Sequence, residues 1–226
     1  MRTVWTTLRR QRDLRLVLTA GVVSMTGDWM LTVGLAFHVY VLTGSTLASA
    51  GMLLAAFAPQ ILLGSLAGVF VDRWDRKRTM IVTNVLLAVG LVPLLFVHSA
   101  DHVWIVYVVM VWEGAVEQFF GPAEQALLPS LVPDDRLLTA NALVGQSRDV
   151  ARLVGSALGG VAVAAGGLTA LALLDAASFV LAALLVGLVR APGRVARPVE
   201  RRRRPRPSRG TSEPCERSGP RVSASR

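Results

Sequence analysis

The amino-acid sequence predicts an all-α integral membrane protein built as a bundle of six transmembrane helices. The chain has 226 residues, is 53% hydrophobic and has a mean hydropathy of +0.51, which is more apolar than a soluble domain of this size. Its apolar runs are long and lack the period-two alternation of a membrane β-barrel. A helix that crosses a bilayer needs about 20 apolar residues and pairs its backbone groups internally, so each run is predicted to be helical.

Six segments have the length and composition for such a helix. They are residues 16–42, 46–71, 79–98, 103–127, 138–165 and 168–189. The connections between them are short, so consecutive segments are expected to be antiparallel neighbours.

Among the connections between the segments, only alternate ones contain Lys or Arg. They precede the first segment, join the second to the third and the fourth to the fifth, and follow the sixth. The other three connections, Thr43–Ser45, Ser99–Asp101 and Gly166–Gly167, contain neither residue. Cytoplasmic loops of membrane proteins carry the excess of Lys and Arg, so both termini of a multi-pass plasma-membrane protein are predicted in the cytoplasm.

The net charge of +9 comes from the end of the chain. Residues 190–226 contain twelve Arg and three Glu, whereas residues 1–189 are balanced. We therefore expect a cytoplasmic N-terminal segment (1–15), a transmembrane domain (16–189) and a basic, disordered cytoplasmic tail (190–226). Two interpretations of the tail remain open: its Arg201–Arg204 run contacts anionic lipid headgroups, or the tail is a meaningless extension read after a frameshift.

The sequence lacks the sets of residues that disulfide frameworks, zinc sites and intramembrane proteases need. Cys215 is the single cysteine, and the three histidines, His38, His98 and His102, do not form the helical pair with an acid that zinc hydrolases use. The spans contain no Ser/His pair or paired-aspartate protease signature. We expect no enzyme activity, no cofactor, no metal site and no nucleic-acid partner.

Acidic residues inside the predicted spans are the first candidates for function, because each costs about 2.5–3.5 kcal/mol to insert. Asp28 lies about 18 Å along the first segment and Glu113 about 15 Å along the fourth, so both are near the midplane. Glu113, Glu117 and Glu124 share one helix face. The candidate substrate- or proton-coupling residues are Asp28, Glu113, Glu117 and Asp175. An interior lined by them would suit protons or cationic, amphipathic substrates.

The fifth segment supplies counter-charges. Arg148 and Arg152 share a face at i and i+4, with Asp149 about 100° away, and their expected partners are the acids of the fourth segment or Asp28. The alternative is that these charges form structural ion pairs that lock the first, fourth and fifth segments together. Small residues at four-residue spacing also predict close helix packing, and they are Gly64 with Gly68 and Ala151 with Gly155 and Gly159.

The connection from Gly68 to Arg78 resembles the cytoplasmic motif of the major facilitator superfamily, Gly-x-Leu-Ala-Asp-Arg-x-Gly-Arg-Arg. The matching positions are Gly68, Asp72, Arg73, Arg76 and Lys77, whereas Asp75 replaces the second Gly and Phe70 the Leu. We expect Gly68 to let another helix approach and Asp72 to receive a helix dipole or an Arg from a facing helix.

Other segments resemble the branch of that family that contains macrolide efflux proteins and enterobactin exporters. They are Gly27–Trp29, Pro122–Pro133 and Ala140–Leu143. The run Gly155–Gly160 resembles the antiporter motif Gly-Pro-x-x-Gly-Gly, with Gly155, Gly159 and Gly160 matching and Ser156 in place of Pro. Glu113 stands before Gly114 where many drug antiporters have an Arg.

The resemblance implies a fold of two six-helix bundles, each made of two inverted three-helix repeats, with rocking alternating access to a site between them. This chain would be the N-terminal bundle, and the second bundle would be a separate partner, a second copy of the chain, or a part lost by truncation. The implied function is export of amphipathic small molecules such as macrolides or siderophores, with proton antiport suspected. The alternative is a truncated, non-transporting protein or a regulatory half that associates with other transporter subunits.

Overall fold

Long α-helices make up nearly all of the part of the chain that the computed structural model describes. It describes residues 11–71 and 73–191, which belong to one compact unit, and gives the backbone alone for residues 65–67 and 69. Over these ranges the structure has five long α-helices and no strand, so the all-α prediction is confirmed. They are α1 (Arg12–Thr43), α2 (Thr46–Val71), α3 (Arg76–Gly90), α4 (Val103–Leu131) and α5 (Leu137–Gly187).

The count of five differs from the six separate helices that the sequence predicts. The fifth and sixth predicted segments form the single element α5, of 51 residues, which is interrupted at Gly167. A straight helix of that length would measure about 77 Å, over twice the thickness of a bilayer core. Gly167 has φ 63° and ψ −157°, a conformation that glycine adopts without a steric penalty, so one residue replaces the expected loop. Residues 137–166 are called the first arm and residues 168–187 the second arm.

The first arm runs parallel to α1. A Cβ atom built on Gly155 would lie 3.2 Å from the backbone nitrogen of Met30, and one on Gly159 would lie 2.7 Å from the Met30 carbonyl oxygen and 3.2 Å from the Gly34 nitrogen. Positions along α5 and α1 increase together through these contacts. The predicted close packing at Gly155 and Gly159 is therefore present, and its partner is the backbone of α1.

The second arm packs antiparallel to the same helix. Gly34 lies against Leu171, whereas Gly27, farther back along α1, lies against Asp175 and Ser178. Because positions on the two elements now run in opposite directions, the chain reverses at Gly167. Helix α1 is thus packed by both arms.

Short 3₁₀ turns shape three of the helix ends. The third predicted span, 79–98, is an α-helix only as far as Gly90 and continues as a 3₁₀ turn, Val92–Phe96, with Pro93 near its start. The other turns are Ala100–His102 and Asp134–Arg136. At the opposite end of α3, the Asp75 side chain caps the helix by accepting a hydrogen bond from the Arg78 backbone nitrogen at 3.0 Å.

Five helices within the described residues are long and apolar enough to cross a membrane. Large apolar side chains point away from the protein interior, and Leu47 and Ile61 of α2 are 81% and 84% exposed. An apolar outer surface of this kind is suited to lipid and would be unusual in water. The structure therefore supports a multi-pass membrane protein.

Basic side chains hold several helix ends together at one end of the bundle. Arg76 donates a hydrogen bond from Nη1 to the Ala126 carbonyl oxygen of α4 at 2.7 Å. Lys77 donates from Nζ to the carbonyl oxygens of Gly187 and Val189, at 2.9 and 2.6 Å. The carbonyl groups at a helix C-terminus attract a cation, so Lys77 stabilises the end of α5.

The start of α1 lies at this same end. Asp13 accepts hydrogen bonds at Oδ2 from the backbone nitrogens of Arg190 and Ala191, at 3.1 and 2.9 Å. The start of α1, the α2–α3 connection and the ends of α4 and α5 therefore meet at one end, here called the basic end. This grouping fits the alternation of Lys and Arg in the sequence, and which membrane face the basic end occupies stays a prediction.

The buried apolar side chains form two separate clusters. The basic-end cluster includes Leu14, Val17, Met80, Leu127 and Val186. The opposite cluster includes Leu31, Leu35, Leu87, Met110 and Leu171. Helices α1, α3, α4 and the second arm each pass through both clusters, and the stretches between are where polar residues enter the interior.

Candidate functional site

A polar layer crosses the bundle between the two apolar clusters. It draws side chains from α1, α3, α4 and both arms of α5. Its members are Ser24, Asp28, Asn84, Glu113, Glu117, Arg148 and Asp175. Ser24, Asp28 and Asn84 lie between the two clusters on their helices, whereas Glu113 and Asp175 are flanked on both sides by residues of the opposite cluster.

Two connected spaces open onto this layer. A narrow cavity of about 30 Å³ is lined by Ser24 and Asp28 from α1, Asn84 from α3, and Glu113 and Glu117 from α4, among other residues. A wider, open groove of about 440 Å³ shares these three acids with the cavity. The groove adds an aromatic and amide lining, made by Trp29, Phe57, Gln60, Gln118 and Phe120. Polar groups that converge in a mostly apolar concavity are typical of small-molecule sites.

The structure brings together all four acids that the sequence nominates. Asp28, Glu113, Glu117 and Asp175 each lie within electrostatic range of the other three. They come from three different elements, so their proximity is a property of the fold and could not be read from helical spacing alone. Four like-charged groups this close repel one another unless protons or cations are bound.

Two of these acids are deeply buried and lie against each other. Glu113 is 3% exposed, and its carboxyl group is within hydrogen-bond reach of the Asp175 carboxyl group and of no donor among the described residues. Asp175 is fully buried, and its Oδ1 accepts a hydrogen bond from Ser178 at 3.1 Å. Buried polar atoms are normally paired, so both carboxyl groups call for a bound proton, ion or ligand.

One cation of the polar layer is already paired. Arg148 forms an ion pair and hydrogen bond with Glu124, which is 3% exposed on α4. The sequence predicts an acid of this helix as the partner, and the structure selects Glu124. Arg148 also acts electrostatically on Glu117.

The other predicted ion-pair residues behave differently. The Arg152 guanidinium lies 4.5 Å from the centre of the Trp29 ring, so its partner is the aromatic face and not the expected acid. Asp149 is exposed and forms no ion pair with any described residue. The structural-lock interpretation therefore applies to Arg148 alone.

The residues of the family-like motif are divided between the basic end and the surface. Arg76 and Lys77 bind helix-end carbonyl groups, whereas Arg73 is exposed. No described heavy atom lies within 4 Å of a Cβ built on Gly68 or on Gly160, so the close helix approach expected at Gly68 is not made by this part of the chain. Asp72 lies outside the described residues.

Sequence reasoning missed Asn84 and the Trp29–Arg152 pair. Asn84 is a lone amide inside an apolar span, which is a signal that a search confined to charged residues passes over. The Trp29 contact joins two helices that lie more than a hundred residues apart in sequence, and no local pattern predicts it. No group of three or more His, Cys, Asp or Glu residues in the described ranges is arranged to hold a metal ion.

Comparison with known proteins supports the architecture. The profile of the Major Facilitator Superfamily matches residues 17–221. The chain is 26% identical over 179 residues to the uncharacterized MFS-type transporter YfiS of Bacillus subtilis, a match that covers 79% of this chain and 42% of that protein.

Macrolide efflux protein A of Streptococcus pyogenes is 27% identical over 172 residues, which cover 75% of this chain and 42% of that protein. An uncharacterized MFS-type transporter of Mycobacterium tuberculosis is 28% identical over 159 residues, or 68% of this chain and 36% of that protein. The chain thus spans less than half the length of the curated relatives it matches.

The profile match covers most of the chain and agrees with a bundle of long apolar helices that encloses a layer of acids. Together they show that this chain belongs to the major facilitator superfamily.

Proposed function

We propose that this chain is the N-terminal part of a secondary transporter that exports amphipathic, cationic small molecules across the plasma membrane. The observation that carries the proposal is the open groove in which Asp28, Glu113 and Glu117 lie beside an aromatic wall. Acids at the centre of an apolar bundle are costly, and in membrane proteins they mark the pathways of solutes and ions.

The groove has complementary chemistry for such a substrate. Trp29 and Phe57 lie with their ring centres 6.4 Å apart and offer an apolar face, and the acids beside them attract a positive charge. The similarity to proteins named macrolide efflux protein A favours bulky amphipathic molecules over small sugars or inorganic ions. Arg152, which covers Trp29, would have to move when a cation binds to that ring.

Proton antiport is the proposed means of coupling. Glu113 and Asp175 are buried carboxyl groups within hydrogen-bond reach of each other, so a proton bound between them relieves the cost of a buried charge. A cationic substrate that enters the acidic groove competes with that proton. Binding of one and release of the other would then be linked through the same four acids.

A second bundle is the proposed partner. Arg152 and Asp149 are exposed on the first arm, although it lies in a span that crosses the membrane. Charges that face lipid are costly, and a second six-helix half or a second copy of this chain would cover them. The open side of the groove would then become the wall of an enclosed pathway.

The basic end is proposed to face the cytoplasm, with both chain termini on that side. The test is a pair of topology reporters, one fused at the C-terminus and one inserted after Gly44. We expect a reporter that works only in the cytoplasm to be active at the C-terminus and inactive after Gly44. The opposite pattern would reverse the orientation.

Drug accumulation in cells tests the transport function directly. The chain is produced alone and together with the C-terminal half of a related transporter, and retention of a macrolide is measured. Asp28→Asn should abolish export without reducing the amount of protein in the membrane. Asp101→Asn, which changes an exposed acid in a loop, is the matched control. Unchanged export by Asp28→Asn would exclude the proposed role of that acid.

A regulatory role is the second candidate function. In this alternative the chain transports nothing and regulates other transporters by associating with them. Reconstitution of the purified chain in liposomes separates the two proposals: substrate transport by the chain alone excludes the non-transporting alternative. A second six-helix segment in another reading frame downstream would instead identify a frameshift product.

A further inference from the structure

The aromatic wall of the open groove already has a cation of the protein against it. The Cζ atom of the Arg152 guanidinium lies 4.5 Å from the centre of the Trp29 ring, and both residues line the groove. A cation and an aromatic face attract each other over centre-to-centre distances of up to about 6 Å. Arg152 therefore occupies a place on the ring that a cationic ligand in the groove would also use.

Close packing of the first arm against α1 sets the position of this pair. A Cβ atom built on Gly155 would lie 2.9 Å from the Trp29 Cβ atom, so the backbone of the arm passes directly beside the indole side chain. Arg152 precedes Gly155 by three residues, which places both on the same side of the helix. The contact between guanidinium and ring is thus built into the interface between two helices.

The contact that holds Arg152 on the ring is nevertheless weak. Arg152 is exposed and forms no ion pair with any described residue, although Asp28, Glu113 and Glu117 line the same groove. An exposed cation–π contact changes a binding constant by about two- to fivefold. A ligand that binds to the ring and is attracted by the acids can therefore displace the guanidinium.

We propose that Arg152 is a tethered competitor that occupies the cation-binding face of Trp29 and lowers the affinity of the groove for cationic ligands. A ligand cation reaches the ring only after the guanidinium has moved away. The guanidinium group is weakly hydrated and is already a good partner for an aromatic face. Strongly hydrated primary ammonium groups would displace it poorly, so Arg152 would favour ligands whose positive charge is delocalised or shielded by apolar groups.

This role makes Arg152 a specificity-determining residue of the proposed transport site. Its importance for export rests on the proposed function, whereas competition for the ring is measured by binding alone. The groove is formed by described residues of this chain, so the measurement needs no second bundle.

Equilibrium binding of radioactive tetraphenylphosphonium to the full purified chain in detergent tests the proposal. Arg152→Gln and, independently, Arg152→Met should each strengthen binding by about threefold or more, because the ring is uncovered and a like charge is removed. Arg152→Lys keeps a cation within reach of the ring and should bind as the unmodified chain does. Arg73→Gln, which removes an exposed cation outside the groove, is the matched control and should change nothing.

A substitution of the ring separates competition from simple charge repulsion. Trp29→Leu removes the face for which ligand and guanidinium compete. Combined with Trp29→Leu, Arg152→Gln should therefore lose most of the gain that it produces in the unmodified chain. An equal gain in both backgrounds, or in Arg73→Gln, would assign the effect to repulsion between charges and overturn the proposal.

Unchanged or weaker binding by both neutral variants, measured on folded protein, also overturns the proposal. Absence of binding to every variant overturns it together with the cation-binding groove. If the neutral variants bind more tightly but the unmodified chain exports nothing with any partner half, the proposed function fails and the role of Arg152 stands. Export by a chain whose affinity does not respond to Arg152→Gln or Arg152→Met is the reverse case.

Discussion

The basic end and the polar layer differ in how their charged side chains are paired. At the basic end, Asp13 accepts two backbone hydrogen bonds and Lys77 donates two, so each charge meets complementary dipoles. In the polar layer, Glu113 is more deeply buried than either of these residues, and the charged groups around it are other acids, among them Asp28 and Asp175. Charges of the first kind stabilise the fold, whereas charges of the second kind cost stability, and we propose that they serve binding.

Glu124 combines the deep burial of Glu113 with the pairing that is typical of the basic end. It is as buried as Glu113 but is paired with Arg148. The same helix thus carries one buried acid with a cation and one without, about three helical turns apart. Variants of each kind should separate stability from function.

Loss of Arg148 should have the largest effect on stability. Arg148→Ala leaves Glu124 buried without its cation, which costs about 3–5 kcal/mol in the free energy of unfolding. Intrinsic tryptophan fluorescence during thermal unfolding in detergent measures the change. The double variant Arg148→Leu with Glu124→Leu should recover most of the loss, because it removes both charges. A double variant as unstable as Arg148→Ala would show that the pair is not the cause.

Asp13→Ala should have the next largest effect. The substitution removes the acceptor for the backbone nitrogens of Arg190 and Ala191 and separates the start of α1 from the end of the second arm. We expect a loss of about 1–2 kcal/mol, measured in the same unfolding assay. Asp101→Ala, at an exposed loop position, should change stability little. Equal losses of stability in the two variants would argue against a stabilising contact between Asp13 and the backbone of Arg190 and Ala191.

Lys77→Met should cost less, because Lys77 is only partly buried and its hydrogen bonds are shared with solvent. Removal of a cation from a helix C-terminus costs about 0.3–1 kcal/mol. Hydrogen exchange of the last turn of α5, followed by mass spectrometry, should increase locally. Arg78→Met, which changes the exposed neighbouring cation, is the control and should leave that exchange unchanged.

Glu113→Gln should have the smallest effect on stability and the opposite sign. The variant removes a buried acid whose charged neighbours are other acids, so we expect a melting temperature equal to or above that of the unmodified chain. Export should nevertheless be lost. Glu124→Gln, which weakens an existing ion pair, should lower the melting temperature. A destabilised Glu113→Gln variant would show that Glu113 has a structural partner and would remove the contrast.

The positions of the helices followed closely from the sequence because burial in lipid depends on local composition. The second span was predicted as 46–71 and observed as Thr46–Val71. The prediction failed at Gly167 and after Gly90, where backbone conformation decides the path. Hydropathy does not distinguish a one-residue reversal from a short loop, nor an α-helix from a 3₁₀ turn.

The candidate site was predictable only in part for a related reason. Intramembrane acids are costly, so Asp28, Glu113, Glu117 and Asp175 were identifiable one by one. Their arrangement around one space depends on the packing of α1 against both arms of α5. The neutral Asn84 lines the same cavity, which no charge count can indicate.

The reversal at Gly167 also has a consequence for biosynthesis. Helix α1 leaves the ribosome well before the two arms that pack against it. Until they arrive, Asp28 and the small-residue face of α1 lack their final neighbours. A chain whose synthesis stops before Gly167 would leave the surface of α1 that packs against the second arm uncovered.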